Sequence, residues 1–148
     1  MADRKQVHIK NRKARHEYAL EGSFTAGIVL TGAEVKSVRD ARASIGEAYC
    51  LFDNDRLIIR GMHISEFKQA GYAEQHPDRD RFLLLKKTEL KKLKNKVKDV
   101  GYTIVPLELF VSETGYIKLV IAPGKGKKLY DKRQDLKKKD MSREIDRF

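Results

Sequence analysis

Between Tyr18 and Ala122 the apolar residues come in short runs, and tight turn signals close most of them. Tyr18 to Leu20 and Phe24 to Leu30 flank Gly22-Ser23. Ile45 to Phe52 and Leu57 to Ile64 flank Asp53-Asn-Asp-Arg56. Tyr102 to Val111 and Tyr116 to Ala122 flank Glu113-Thr-Gly115. Phe82 to Leu85 stands between a polar stretch and a helical one. Runs joined this closely pair as antiparallel hairpins, and no helix alternates with each strand to build a parallel sheet. The expectation is a mainly β fold of about six strands with two to three flanking helices. Curling such a sheet into a closed antiparallel barrel removes the unpaired edges that invite aggregation. A body of roughly 120 residues buries a core without disulfide or metal staples.

Local chemistry sharpens this outline. Ala26-Gly27 sits mid-strand and predicts a bend or bulge. Thr31 with Glu34 three residues on predicts a capped helix from about Gly32 to Asp40. Pro106 predicts a sheet edge or a bulge, because it cannot donate to a ladder. Ser65 to Arg81 reads as a long polar loop. Lys86 to Val100 reads as a helix with Leu90, Leu93, Val97 and Val100 on its buried stripe, Thr88 as N-cap and Gly101 as stop. Cys50 alternates with apolar neighbours and reads as a buried structural thiol.

Charge narrows the function. The formal net charge is +11 and 36% of residues are charged, which predicts a polyanionic partner, nucleic acid before acidic membrane. No apolar run approaches the ~18 residues of a membrane span, and the N-terminus lacks a secretory leader. A lone cysteine fits a reducing cytoplasm. His8, His16, His63 and His76 have no zinc-site spacing, and His63 reads as packed or hydrogen-bonded. No phosphate loop and no matched nucleophile and base are present, so the chain reads as a binding protein with no cofactor, and not as an enzyme.

The cations fall into four groups. Residues 1–16 form a basic N-terminal arm carrying Arg12, Lys13 and Arg15, with Asn11 free to hydrogen-bond. Residues 17–123 form the body, where Lys94, Lys96 and Lys98 belong to a set of seven lysines on the long helix. At the start of the segment 124–148, Gly124 and Gly126 predict a hinge, Lys125, Lys127 and Lys128 invite phosphate, and Tyr130 offers a stacking face. Beyond it, Asp131 to Phe148 has few apolar residues and many charges, including Lys137, Lys138, Lys139 and Arg143, and predicts disorder when free and helix when bound. Each group also fits a plain solvated leader, helix face or linker.

Four pieces, in this order along the chain, carry a family resemblance. They are Asn11-Arg-Lys-Ala-Arg-His-Glu-Tyr18, Ala26-Gly-Ile-Val-Leu-Thr-Gly-Ala-Glu-Val-Lys-Ser37, Lys96-Val-Lys-Asp-Val-Gly-Tyr-Thr103 and Gly126-Lys-Lys-Leu-Tyr-Asp-Lys-Arg133. Together they resemble the small protein B family of bacterial SsrA-binding proteins. The resemblance implies an oligonucleotide-binding-type (OB) barrel that binds the transfer-RNA-like domain of transfer-messenger RNA at its elbow. It implies a tail that enters the decoding centre of a stalled ribosome and runs as a helix along the empty messenger channel, against small-subunit ribosomal RNA. It also implies a monomer, one per transfer-messenger RNA, with no membrane partner. Asn11 and Leu84 match family positions tied to RNA binding, and Asp131, Lys132 and Arg133 match the tail motif needed for tagging. Tyr130 matches a ring position near ribosomal RNA. Thr25 stands where some members carry an acid that contacts RNA. The candidate RNA contacts are Asn11, Arg12, Lys13, Arg15, Lys36, Leu84, Lys94, Lys96, Lys98, Lys125, Lys127 and Lys128. The candidate ribosome contacts run from Tyr130 through Arg133, with Lys137, Lys138, Lys139 and Arg143. A ribosomal or assembly protein that binds ribosomal RNA alone is the competing reading, and a nuclease using His63 or His76 is a third.

Overall fold

The structure is a computed structural model that describes residues 7–68 and 74–126. Six strands close a barrel: β3 (Phe24–Ile28), β5 (Tyr49–Asp53), β6 (Arg56–Arg60), β8 (Arg81–Leu84), β9 (Tyr102–Val111) and β10 (Ile117–Gly126). Their order is β9-β5-β6-β8-β3-β10, every pairing is antiparallel, and β10 returns to β9 to close the ring. Two short strands extend the outside: β1 (His8–Lys10) pairs with β9 and β2 (Tyr18–Leu20) pairs with β10. β4 (Ala43–Ser44) and β7 (His63–Ile64) form a separate two-stranded ladder. The helices are α1 (Arg12–Glu17), α2 (Gly32–Arg39) and α3 (Lys87–Val97).

Turn chemistry builds these elements as expected. Asn54 takes φ 57 in the β5–β6 turn, a conformation its short polar side chain tolerates. In α2 the Glu34 backbone N–H donates to Thr31 Oγ1 (3.2 Å) and the Thr31 N–H donates to Glu34 Oε1 (2.9 Å), a complete capping box. The bulge at Pro106 is present: Val120 lies opposite Glu108 and Ile121 opposite Pro106, so Leu107 is the extra residue.

The core fills the barrel. Ala26, Cys50, Leu57, Ile59, Leu83, Ile104, Leu109, Leu119 and Ile121 point inward, with Val38 entering from α2 and Leu93 from α3. Truncating Leu93 to alanine there would cost roughly 2–5 kcal/mol. Burial also pushes the Cys50 thiol up, away from the reactive thiolate, as a structural cysteine requires.

Four sequence expectations need correction. The basic arm is ordered from His8 onward as β1 and α1. A second small core explains why: Ala14 of α1 is buried with Val105, Leu107 and Ala122 on the outer face of β9 and β10, with Tyr18, Leu20 and Val120 packed against them. The last strand does not end at Ala122, and Gly124 is no hinge. It pairs with Leu20 on one side and Thr103 on the other. A Cβ there would lie 2.9 Å from Leu20 Cδ2 and 3.0 Å from Tyr18 Cβ, so glycine serves the close approach of β2. The N-cap of α3 is Lys86 and not Thr88, because Glu89 reaches back to accept from the Lys86 N–H (3.2 Å). The helix stops at Val97, and Val100 is 95% exposed on the following turn rather than on the buried stripe.

Candidate nucleic-acid interface

Strand register builds the outer surface of the barrel. Inward residues alternate with outward ones, so Leu84, Gly27, Lys118, Phe110 and His8 lie side by side on β8, β3, β10, β9 and β1. Leu84 is 61% exposed, and Gly27 beside it leaves its flank bare of any side chain. The His8 ring meets the Phe110 ring edge-on, 6.2 Å between centroids. Lys118 Nζ sits 5.8 Å from the centroid of the exposed Tyr116 ring. Thr25 opens the neighbouring row, opposite Val120, which faces Glu108 in turn. The surface thus combines an aliphatic side chain, rings and a cation, the equipment for unstacked bases and phosphates.

Asn11 is placed differently from Leu84. It is buried, and its Nδ2 donates to Pro106 O (2.8 Å) and Ile45 O (3.4 Å) while its backbone N–H donates to Leu107 O (2.8 Å). It therefore staples the entry of α1 to the β9 bulge. Its Oδ1 is buried without a protein hydrogen-bond partner.

The candidate cations are not equally available. Lys13 pairs with Glu47 (2.9 Å), and that contact raises the lysine's pKa. Lys94 pairs with Asp55 (2.9 Å) and holds that carboxyl below its usual range. Lys96 pairs with Glu21, which also accepts from the Tyr102 hydroxyl (2.7 Å). Lys125, on β10, also approaches Tyr102, with Nζ 5.9 Å from the ring centroid, and Lys96 Nζ is 5.7 Å from it. Lys36 lies over the Phe67 ring at 5.5 Å. Arg12 and Arg15 are exposed on α1, and Lys98 is exposed as the C-cap of α3. All these ion pairs are on the surface, where each contributes little to stability and yields readily to a better anion. Lys127, Lys128 and the whole tail set, Tyr130, Asp131, Lys132, Arg133, Lys137, Lys138, Lys139 and Arg143, lie outside the described residues.

Sequence reading missed a second charged network. Arg81 is fully buried. Its Nε donates to Glu34 Oε2 (2.7 Å), its Nη1 to Met62 O (2.9 Å) and its Nη2 to Pro77 O (3.0 Å). Arg79 grips the same carboxylate through Nε (3.1 Å). Burial works against the Glu34 charge, but Arg79, the Thr31 N–H and Arg81 outweigh it and keep the carboxyl below its usual range. This network fastens the end of the long 65–81 loop to α2, and His63 joins it to Asp78 (2.8 Å). The only signal in the sequence was the Arg79-Asp-Arg81 spacing, which puts both guanidiniums on one side of an extended segment. Among the described residues no cluster of side chains could hold a metal ion, and no helix is long and apolar enough to cross a membrane.

Comparison with known proteins places this geometry. The family described as SmpB protein matches residues 8–148. An SsrA-binding protein of Cytophaga hutchinsonii is 51% identical over 144 residues, 97% of this chain and 94% of that one. One of Phocaeicola vulgatus is 48% identical over 96% of this chain and 95% of that one. One of Listeria monocytogenes is 46% identical over 93% of this chain and 89% of that one. A solved chain described under "tmRNA-SmpB: a journey to the center of the bacterial ribosome" superposes with a TM-score of 0.68 at 36% identity, covering 81% of this chain and 84% of that one.

Proposed function

The chain belongs to the SmpB family of SsrA-binding proteins, and from that premise we propose that it binds the transfer-RNA-like domain of transfer-messenger RNA and delivers it to stalled ribosomes for peptide tagging and ribosome rescue. The observation that carries this reading is the family match from residue 8 to residue 148, through the described barrel and on along the basic tail. The protein acts in the cytoplasm by binding and not by catalysis.

The barrel supplies rigidity. Closed pairing on both edges of its strands fixes Leu84, Lys118 and Tyr116 relative to one another before RNA arrives, which lowers the ordering cost of binding. Leu84 and its row contact RNA directly. Arg12, Lys13, Arg15, Lys36, Lys94, Lys96, Lys98, Lys125, Lys127 and Lys128 add phosphate contacts, and Asn11 acts through the position it gives α1. If about four phosphates are neutralised, log affinity falls against log salt with a slope of roughly −3 to −4. The segment after β10 engages the ribosome through Tyr130, Asp131, Lys132 and Arg133, with Lys137, Lys138, Lys139 and Arg143 as further contacts.

The test has two arms. RNA sequencing after pull-down of the tagged protein should recover transfer-messenger RNA above all else; ribosomal RNA alone would favour an assembly protein instead. Deleting residues from Asp131 onward should leave gel-shift affinity for transfer-messenger RNA near wild type and abolish tag addition on stalled translation, since no described core residue lies beyond Ala122. Tagging that survives the deletion would overturn the role of the tail.

A further inference from the structure

Glu21 follows β2 directly and its backbone is tied down, its N–H donating to Pro123 O (2.9 Å). This puts an acid in the middle of a cationic surface. Its carboxylate accepts from Lys96 Nζ and from the Tyr102 hydroxyl (2.7 Å). Lys125 Nζ lies 5.9 Å from the Tyr102 ring centroid, and its stem runs over Gly101, which takes φ 92 and whose Cβ, if present, would lie 3.6 Å from Lys125 Cε. Two elements thus bond one carboxylate, α3 through Lys96 and β9 through Tyr102, and β10 brings the Lys125 charge to the same Tyr102 ring. Lys96 binding, then the Tyr102 bond, hold the Glu21 carboxyl below its usual range, while Glu21 raises both partners.

A phosphodiester presents the same face as this carboxylate: one negative charge and two acceptor oxygens. We propose that Lys96, Tyr102 and Lys125 form a binding site for an RNA backbone phosphate, and that Glu21 is its resident competitor, displaced when RNA binds. The inference rests on the RNA-binding reading above and adds to it Glu21 and Tyr102. Magnitudes favour displacement. Lys96 and Glu21 are both nearly half exposed, so their pairing is weak. An RNA phosphate brings counterion release that a side-chain carboxylate cannot match. The resident acid lowers affinity for stray anions while leaving a polyanion able to win. It also keeps Lys96 and the Tyr102 phenol pointed at the phosphate position before RNA arrives.

The experiment uses the full chain with transfer-messenger RNA and, separately, with an unrelated structured RNA. Glu21→Gln should bind RNA roughly two- to fivefold more tightly at low salt. Its salt slope should match wild type, because the same phosphate is contacted in both, whereas Lys96→Met alone should flatten it by about 0.9. Adding Lys96→Met to Glu21→Gln should erase the gain. Asp55→Asn, which frees Lys94 of its acid in the same way but at a carboxylate that no tyrosine hydroxyl is shown to bond, should give a smaller gain. Equal gains from Asp55→Asn, or no gain from Glu21→Gln, would overturn the site. In wild type, carbon NMR of the Glu21 carboxyl should show it titrating closer to its ordinary range in the RNA complex than in the free protein; an unchanged titration would also overturn it. Failure of the parent reading is separate: wild type would then show no preference for transfer-messenger RNA, while the Glu21 effect could still be read on either RNA.

Discussion

Two carboxylates, Glu34 and Glu21, each sit between two cations and a hydroxyl-bearing residue, yet they do opposite work. Glu34 is buried and held by Arg79 and Arg81, with the Thr31 N–H closing the set. Glu21 is exposed and held by Lys96 and the Tyr102 hydroxyl, with Lys125 alongside. Arginine suits the first position because its planar fork serves the carboxylate and loop carbonyls at once. Lysine suits the second because a compact, well-hydrated ammonium exchanges one anion for another at little cost. Burial decides the rest. Removing one partner from a buried pair strands a charge, whereas an exposed partner is replaced by water or by ligand. The first network is architecture and the second is the proposed place for RNA.

Breaking the buried network should have the largest effect. Arg81→Ala should cost about 3–5 kcal/mol in urea unfolding, because it strips the Pro77 and Met62 carbonyls of the Arg81 donor and leaves the buried Glu34 carboxylate with Arg79 as its one remaining cation. A loss under about 1 kcal/mol would mean the two networks are equivalent and the contrast is false. Next comes the pair of family positions that the structure separates. Asn11→Ala should lower stability by about 1–3 kcal/mol through the unsatisfied Pro106 carbonyl, and weaken RNA binding as a consequence. Leu84→Ala should leave the unfolding midpoint near wild type and still weaken RNA binding, since the side chain is mostly exposed. If both behave alike in unfolding, the placement of Asn11 in the interior is wrong.

Acid gives a smaller effect of known sign. The folded state holds Glu34 below the usual carboxylate range, so its ionised form stabilises the fold. That contribution is fully present above the ordinary value, about pH 4–5, and drains away as pH falls through the lower folded value. Urea midpoints from pH 6 to pH 3 should fall more steeply for wild type than for Glu34→Gln. Parallel curves would show that the Glu34 charge contributes nothing. The smallest effect belongs to the exposed network: Glu21→Gln should leave the urea midpoint close to wild type. A cost comparable to Arg81→Ala would make Glu21 a structural residue and remove it from the RNA surface.

Much of this was legible before any fold was known. The hairpin turn at Asp53-Asn-Asp-Arg56, the capping box of Thr31 and Glu34, the bulge at Pro106 and the buried Cys50 all follow from residues within a few positions of one another. The excess of lysine and arginine announced a polyanion, and the four family pieces narrowed it. The mistakes share a cause. Reading β1 and α1 as an arm and Gly124 as a hinge each ignored a partner far away in sequence: Phe110 for His8 and Leu20 for Gly124.

Turn type, strand period and helix caps are local choices, made by φ/ψ preferences and side chains that reach only three or four residues, so the chain determined them by itself. Which outer face of β9 and β10 would be left for α1 and β2 to cover, and which acid would stand opposite each cation, depended on how the barrel closed. Closure brings residues about a hundred positions apart onto neighbouring strands, as with His8 and Phe110, and only the finished pairing of β10 with β9 decides where those neighbours fall.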